Sequence, residues 1–433
     1  MQRDRAQRGR IPRGLRRPTP GPDVARPGET GEHLVTPEVL VVGSVSRDVT
    51  VTVDRFPAPG ETVVGHSVSY GLGGKGANQA VASALTGVPT SFLGCVGTDE
   101  AGRGLLSTLR ERGVITEHTT TVSGDSGSAH ITVDADGENS ISIVPAANRS
   151  VTPDVVASAR DRDFDGASVV VAQGEIPVGT LEELGRAVAA SGVRFVLNLA
   201  PAIEVSAECL AAADVLMVNQ SEAEAIMRRH GLSSAEGRAS FAEGAAGSGA
   251  PVAAGASVAA GASEPAGASV AEAVSESAGD SEPVGAAQSA GASVAERLTE
   301  IVRCAVVTLG DSGSVVAVRA DETPGPAIIR RIDAARVEPV VDTTGAGDAY
   351  AGVFSAALAR RLRGSDADGS DGGDIDGGGF DGGDIDGGGF RSGDPLPAEI
   401  VASCAAIASR EAAKVVGAAG ASSSYSSFSV EEQ

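Results

Sequence analysis

VVDTTGAGDAYAGVF, residues 340–354, decides how this chain is read. Val340 and Val341 are β-branched and read as a buried strand. A turn rich in Thr and Gly follows, and Asp348 opens an Ala-rich helical run. Strand, Gly-rich turn and helix point backbone N–H groups at an anion. An acid in the first helical turn stands beside that anion. It can take a proton from a hydroxyl while the N–H groups hold the charge that develops on a transferred phosphoryl group. Taken alone, GAGD equally describes an N-capped helix after a turn.

Working outward, GLGGKGANQAVA (71–82) is a second glycine cluster, about 270 residues upstream. It is not a phosphate loop of the G-x-x-x-x-G-K-[ST] type, because Lys75 is followed by Gly76. Its glycines allow a backbone to approach a ligand closely. Asn78 adds a donor and an acceptor at the start of a helix.

Composition removes several function classes. The chain has 433 residues and a formal net charge of −23, which disfavours nucleic acid and anionic membranes as partners. No apolar run approaches the roughly 18–20 residues of a membrane span. Cys95, Cys209, Cys304 and Cys404 are scattered without a CxxC pair, so neither a zinc site nor a disulfide framework is indicated, and a reducing cytoplasm is expected.

Strands are expected at 38–45, 90–96, 167–172, 194–198, 215–219, 304–309 and 314–318, extended pieces at 49–53 and 62–70, and a hairpin across DADGEN from 129–133 to 140–144. Helices are expected at 77–85, 103–112, 178–190 and 222–229. This alternation predicts a layered α/β fold with a mainly parallel sheet. Residues 1–37 carry eight Arg and no apolar h-region, and read as a disordered basic extension. Residues 231–297, rich in Ala, Gly and Ser, read as a low-complexity insertion without a core. Residues 364–394 hold DGGDIDGGGF twice in tandem, with nine Asp, and read as an acidic loop.

Together, GAGD, GGKGANQA, GSVSRD (43–48) and PGETVVG (59–65) resemble the PfkB family of carbohydrate kinases, the ribokinase-like proteins. The resemblance covers about 300 residues once both insertions are set aside. It implies a three-layer α/β/α domain with a small β-sheet lid, spanning 38–433. It implies an ATP-dependent sugar kinase, with D-ribose phosphorylated at O5. Other sugars or nucleosides (deoxyribose, fructose, adenosine) and a non-catalytic sugar-binding regulator remain as alternatives.

Carried residue by residue, the resemblance makes Asp348 the general base. It sets Ser46, Asp48, Gly74, Lys75, Gly76, Asn78, Glu175 and Asp348 around the sugar. The family usually carries Asn where this chain has Ser46. Glu175 also reads as a solvated loop acid. Asn219 falls near the phosphates, and Glu222 helps place Mg²⁺ through water. Thr308, Gly310, Asp311, Ser312 and Gly313 line the nucleotide, Ser409 is a candidate contact on the adenine side, and Gly345, Ala346 and Gly347 hold the transferred group. Asp342 and Thr344, with Val415, Ala418, Gly420 and Ser424, match a K⁺ site. A homodimer through the lid is implied as well.

Overall fold

The computed structural model describes residues 37–164, 166–232, 284–319, 326–337, 343–367 and 394–417, with Tyr425 and Phe428. The expected basic extension up to residue 36, the Val340–Val341 strand, residues 233–283 of one insertion and 368–393 of the other lie outside the described residues.

In chain order the elements are β1 (Val39–Val42), β2 (Ser46–Thr52), β3 (Ser67–Gly73), α1 (Lys75–Ala84), β4 (Thr90–Leu93), β5 (Cys95–Gly97), α2 (Glu100–Glu111), β6 (Thr120–Val122), β7 (Gly127–Val133), β8 (Asn139–Val144), α3 (Pro153–Asp163) and β9 (Val169–Gln173). There follow α4 (Val178–Ser191), β10 (Arg194–Asn198), α5 (Ala207–Ala212), β11 (Val215–Asn219), α6 (Gln220–Arg229), α7 (Val284–Leu298), β12 (Cys304–Thr308), β13 (Ser314–Val318), β14 (Ile328–Ile332), α8 (Ala346–Ala367) and α9 (Ala398–Ala412).

The main sheet has eight strands in the order β14-β13-β12-β11-β10-β9-β1-β4. Its six strands from β12 to β4 are parallel, and β13 and β14 add an antiparallel edge. The parallel strands are continuous apolar runs because both faces are covered. Alternate side chains feed two cores. Val39, Val41, Val169, Val171 and Val306 face a layer that includes α1, α8 and α9. Leu40, Val42, Val170, Leu197 and Val307 face the other, which includes α4, α5 and α7. This is the expected three-layer arrangement with its small sheet, which has the order β3-β2-β7-β8.

The polar residues stand at the strand ends. β9 ends in Gln173, β10 in Asn198, β11 in Asn219 and β12 in Thr308. These carboxyl ends are where an open α/β sheet binds ligands, at the point where strand order reverses. Here that point lies between β1 and β9, since β4 pairs on the far side of β1.

Some boundaries differ from expectation. The 90–96 run is broken at Gly94, where a Cβ would meet the Phe92 ring at 2.5 Å. The second extended piece lies at Ser67–Gly73, nearer the glycine cluster. The low-complexity reading of 231–297 is corrected over its last part. Residues 284–297 belong to α7, which sends Ala295 and Leu298 into the core. Small residues let this helix sit close, since a Cβ on Gly291 would meet the Leu309 side chain at 2.8 Å. Likewise α8 runs on through residues 364–367 of the expected acidic loop. No helix among the described residues is long and apolar enough to cross a membrane.

Candidate functional site

Gly43 and Ser44 leave β1 and turn into the small sheet, and the glycine run of β3 returns to start α1. The two backbones nearly touch. A Cβ on Gly76 would stand 2.7 Å from the Gly43 backbone, and one on Gly74, at φ +88°, would stand 2.7 Å from Val45 Cα. A Cβ on Gly73 would overlap the Asp48 carboxylate, with Oδ1 at 1.8 Å. These glycines therefore admit the acid and aim α1 at the strand ends.

Asp348 arrives from the opposite side, in the first turn of α8 after Gly345 (φ +83°). It is 7% exposed. Asn78 Nδ2 donates to Asp348 Oδ2 at 3.2 Å, and Lys75 Nζ lies 3.9 Å from Oδ1. The Asp348 carboxylate beside it is the main influence raising the Lys75 pKa, against burial and with help from Glu175 and Glu222. Asn78 Oδ1 is buried and makes no hydrogen bond. A buried acceptor left so is costly unless a ligand hydroxyl donates to it.

Glu175 is not a solvated loop acid. Its Oε2 accepts from Ser44 Oγ at 2.5 Å and from the Lys75 N–H at 3.0 Å, which ties the β9 loop to the start of α1. Ser46 Oγ donates to Asp48 Oδ1 at 3.2 Å. Burial pushes the Asp48 carboxyl up to about 6; the Ser46 hydroxyl opposes this, while Glu175 and Asp348 add to it. Asp48, Lys75, Asn78, Glu175 and Asp348 thus form one linked cluster around the glycine turns.

Asn219 is the N-cap of α6 in a capping box. Its Oδ1 accepts from the Glu222 N–H at 2.8 Å, and Glu222 Oε2 accepts from the Asn219 N–H at 2.9 Å. Burial raises the Glu222 pKa; the Asn219 N–H and Lys75 pull it down, and Asp348 pushes it up. A nearby cation would favour its ionised form. Among the described residues no three His, Cys, Asp or Glu side chains converge as metal ligands. A single carboxylate, Glu222, fits a hard ion that keeps several waters and leans on phosphate, as Mg²⁺ does.

Thr308 is paired beside Asn219 in the sheet, so both strand ends share one rim. Gly310–Ser312 make a single 3₁₀ turn, closed by Gly313 at φ +88°. Gln288 of α7 donates from Nε2 to Ser312 O and to Asp333 Oδ1, each at 3.1 Å. Ser409 Oγ donates to Asp333 O at 3.0 Å. Ser409, Asp333, Arg331 and Arg410 line a cavity of about 370 Å³ between β14 and α9. The TLGDSG turn and Ser409 are therefore joined through Gln288 and Asp333.

In the GAGD turn, the Ala346 N–H donates to Thr343 O at 3.2 Å. Tyr425 Oη donates to Gly345 O at 2.7 Å. Tyr425 is buried, which together with Asp348 holds its pKa well above the usual value. Of the residues matched to a K⁺ site, Thr344 and Val415 are described; Asp342, Ala418, Gly420 and Ser424 lie outside the described residues.

Sequence reasoning missed Tyr425 and three buried amides, Gln79, Gln173 and Asn198. Gln79 did carry a signal. It stands four residues after Lys75 in α1, hence on the same helix face.

Comparison with known proteins finds relatives by sequence and by fold. Residues 36–254 and 271–370 match the pfkB family of carbohydrate kinases. The chain is 39% identical to the ribokinase of Bacillus subtilis over 186 residues, 43% of this chain and 63% of that one. It is 35% identical to the ribokinase of Haemophilus influenzae over 187 residues, 43% of this chain and 61% of that one, so these matches span less than two thirds of either relative. A longer match, 30% identity over 336 residues, covers 77% of this chain and 85% of the ribokinase of Mus musculus. Among solved structures, the fold is shared with a ribokinase of Giardia lamblia (TM-score 0.63, 24% identity, 90% of this chain and 95% of that one). It is shared also with an Arabidopsis thaliana ribokinase complexed with ribose and ATP (TM-score 0.58, 24% identity, 90% and 95%).

Proposed function

This chain belongs to the pfkB family of carbohydrate kinases, and from that premise we propose that it transfers the γ-phosphoryl group of ATP to O5 of D-ribose. The observation that carries this reading is the convergence of Lys75 and Asn78 from α1 on the buried Asp348 of α8. The relatives named as ribokinases, one of them complexed with ribose and ATP, support the choice of sugar and nucleotide.

Asp48, Gly74, Lys75, Gly76, Asn78 and Glu175 hold the sugar, with Asn78 Oδ1 accepting from one of its hydroxyls. Holding it so supplies effective concentration. Asp348 takes the proton of the attacking hydroxyl. The N–H groups of Gly345, Ala346 and Gly347 receive the phosphoryl oxygens at the helix N-terminus, for which Ala346 must release Thr343 O. Asn219 and Thr308 face the phosphates. Gly310, Asp311, Ser312 and Gly313 follow the nucleotide toward the cavity at Ser409, which takes the base. Mg²⁺, when bound beside Glu222, offsets phosphate charge. K⁺ as activator rests on the sequence resemblance at Thr344 and its neighbours. The protein acts in the cytoplasm, without nucleic acid or membrane.

We assign a second copy of this chain as partner. The small sheet exposes Ile143 (61%) and Ile141 on one face, and Tyr70 (66%) and Val68 on the other. Ile141 and Ile143 pair into the register of Asp48, so they share its face. A second sheet packed there would cover the sugar. Ile143→Glu is therefore expected to lower the light-scattering mass from dimer to monomer; an unchanged mass would remove this assignment.

The titration of Asp48 gives a separate expectation. Sugar hydroxyls donate to its carboxylate, so binding favours the ionised form. With a folded pKa of about 6, the D-ribose Kd rises as pH falls below 6, by about tenfold per unit at the limit. Calorimetry at pH 5 and 7.5 measures this. Asp48→Asn should bind weakly at both values, and the same pH dependence in that variant would assign it elsewhere.

The substrate is tested by ADP release with Mg²⁺ and K⁺ present, using D-ribose, 2-deoxyribose, fructose and adenosine. Preference for ribose is expected. Turnover with another acceptor would keep the mechanism and move the substrate.

A further inference from the structure

Asp348 receives one donor that the sugar-binding residues do not explain. Gln79 Nε2 lies 3.1 Å from Asp348 Oδ1 and 2.8 Å from Asn198 Oδ1. Gln79 Oε1 accepts from Gln173 Nε2 at 2.8 Å, and Asn198 Nδ2 donates to Met217 O at 3.0 Å. Gln79 and Gln173 are 0% exposed and Asn198 is 8% exposed. Three buried amides, one from α1 and two from the carboxyl ends of β9 and β10, are thus linked in series.

The polarity of this ladder is fixed. An amide offers two N–H donors on one side and an acceptor on the other. The Met217 carbonyl can only accept, so it turns the Asn198 NH₂ toward itself and leaves the Asn198 oxygen for Gln79. The Gln173 NH₂ occupies the Gln79 oxygen. Gln79 can then present only its NH₂ to Asp348. The backbones are set to match, since a Cβ on Gly352 of α8 would stand 2.4 Å from Gln79 O. The helix that carries Asp348 is docked against the residue that holds it.

We propose that Gln79, oriented by Gln173 and Asn198, is a positioning residue for phosphoryl transfer. It pins Asp348 Oδ1 and leaves Oδ2, shared with Asn78, to take the hydroxyl proton. This rests on Asp348 being the base. A carboxylate rotates about a broad two-fold torsion, so one fixed oxygen sets which lone pair faces the sugar. Misplacement of a reacting group costs rate more than binding.

The test is a cycle of Gln79→Met, Asp348→Asn and the double variant, in the full chain with D-ribose and MgATP. Steady-state kinetics, D-ribose calorimetry and thermal unfolding are read together. Gln79→Met is expected to lower kcat by about 10–100-fold with the D-ribose Kd changed less than about threefold. In the Asp348→Asn background the same change should cost less than about twofold, because its route has been removed. A near-normal kcat in Gln79→Met would overturn the proposal. So would a loss that multiplies undiminished onto Asp348→Asn. Should Gln79→Met not fold, Gln173→Leu, which frees Gln79 without touching Asp348, enters the same cycle with the same two criteria. Failure of the underlying reading shows separately, as near-normal turnover in Asp348→Asn alone.

Discussion

Asp348→Asn is expected to lower kcat by about 10²–10⁴-fold while D-ribose still binds. Asn keeps the shape and one acceptor oxygen, so the hydrogen bond from Asn78 Nδ2 or the one from Gln79 Nε2 survives, though not both. It cannot take a proton from the sugar. It also withdraws the negative charge nearest Lys75, which is the first cause of that ammonium's raised pKa. Lys75 keeps Glu175 and Glu222 as negative neighbours. Sugar affinity should therefore move little, and the loss should appear in kcat. Steady-state ADP release beside a calorimetric D-ribose titration separates the two. A kcat within a few-fold of the parent would remove Asp348 from its role.

Gly74→Ala is expected to cost about 2–5 kcal/mol of stability and at least about tenfold in sugar affinity. Gly74 sits at φ +88° with ψ 127°, a conformation that L side chains avoid. Its new methyl would stand 2.7 Å from Val45 Cα and 3.0 Å from Ser44 O. Ser44 O accepts from the Ala77 N–H, and Gly74 O from the Asn78 N–H, so the clash pushes on the first turn of α1 itself. Lys75 and Asn78 would leave Asp348 together. Gly71→Ala is the control. It lies in the same glycine run, yet a Cβ there meets nothing within 4 Å. Thermal unfolding and D-ribose titration of the pair should show a large loss in one and little in the other. Equal behaviour would mean that the close approach at Gly74 does not set the site.

Where side chains announce their environment, the sequence could be read. Arg194–Asn198, Val215–Asn219 and Ser314–Val318 coincide with their strands because each is an apolar run bounded by turn residues. The strand Ile328–Ile332 went unread, since two arginines interrupt its apolar run at a partly exposed edge. Helix α7 was hidden for another reason. Ala, Gly and Ser give no apolar periodicity, and its place depends on the space above β12 and β13. The site divides in the same way. Asp48, Lys75, Asn78 and Asp348 belong to the short motifs GSVSRD, GGKGANQA and GAGD, which a local reading finds. Gln79 finds its partners 94 and 119 residues away, and no spacing in the chain records that Gln173 and Asn198 end adjacent strands.

The central claim is a reaction, and its product tests it most directly. Phosphorus NMR of a mixture of the purified chain, D-ribose, ATP, Mg²⁺ and K⁺ follows donor and acceptor at once. The account predicts a phosphate monoester coupled to the C5 protons of ribose, growing in step with ADP and at least about 10²-fold more slowly with Asp348→Asn. ADP formed without any sugar phosphate, or a phosphate on another position, would contradict it.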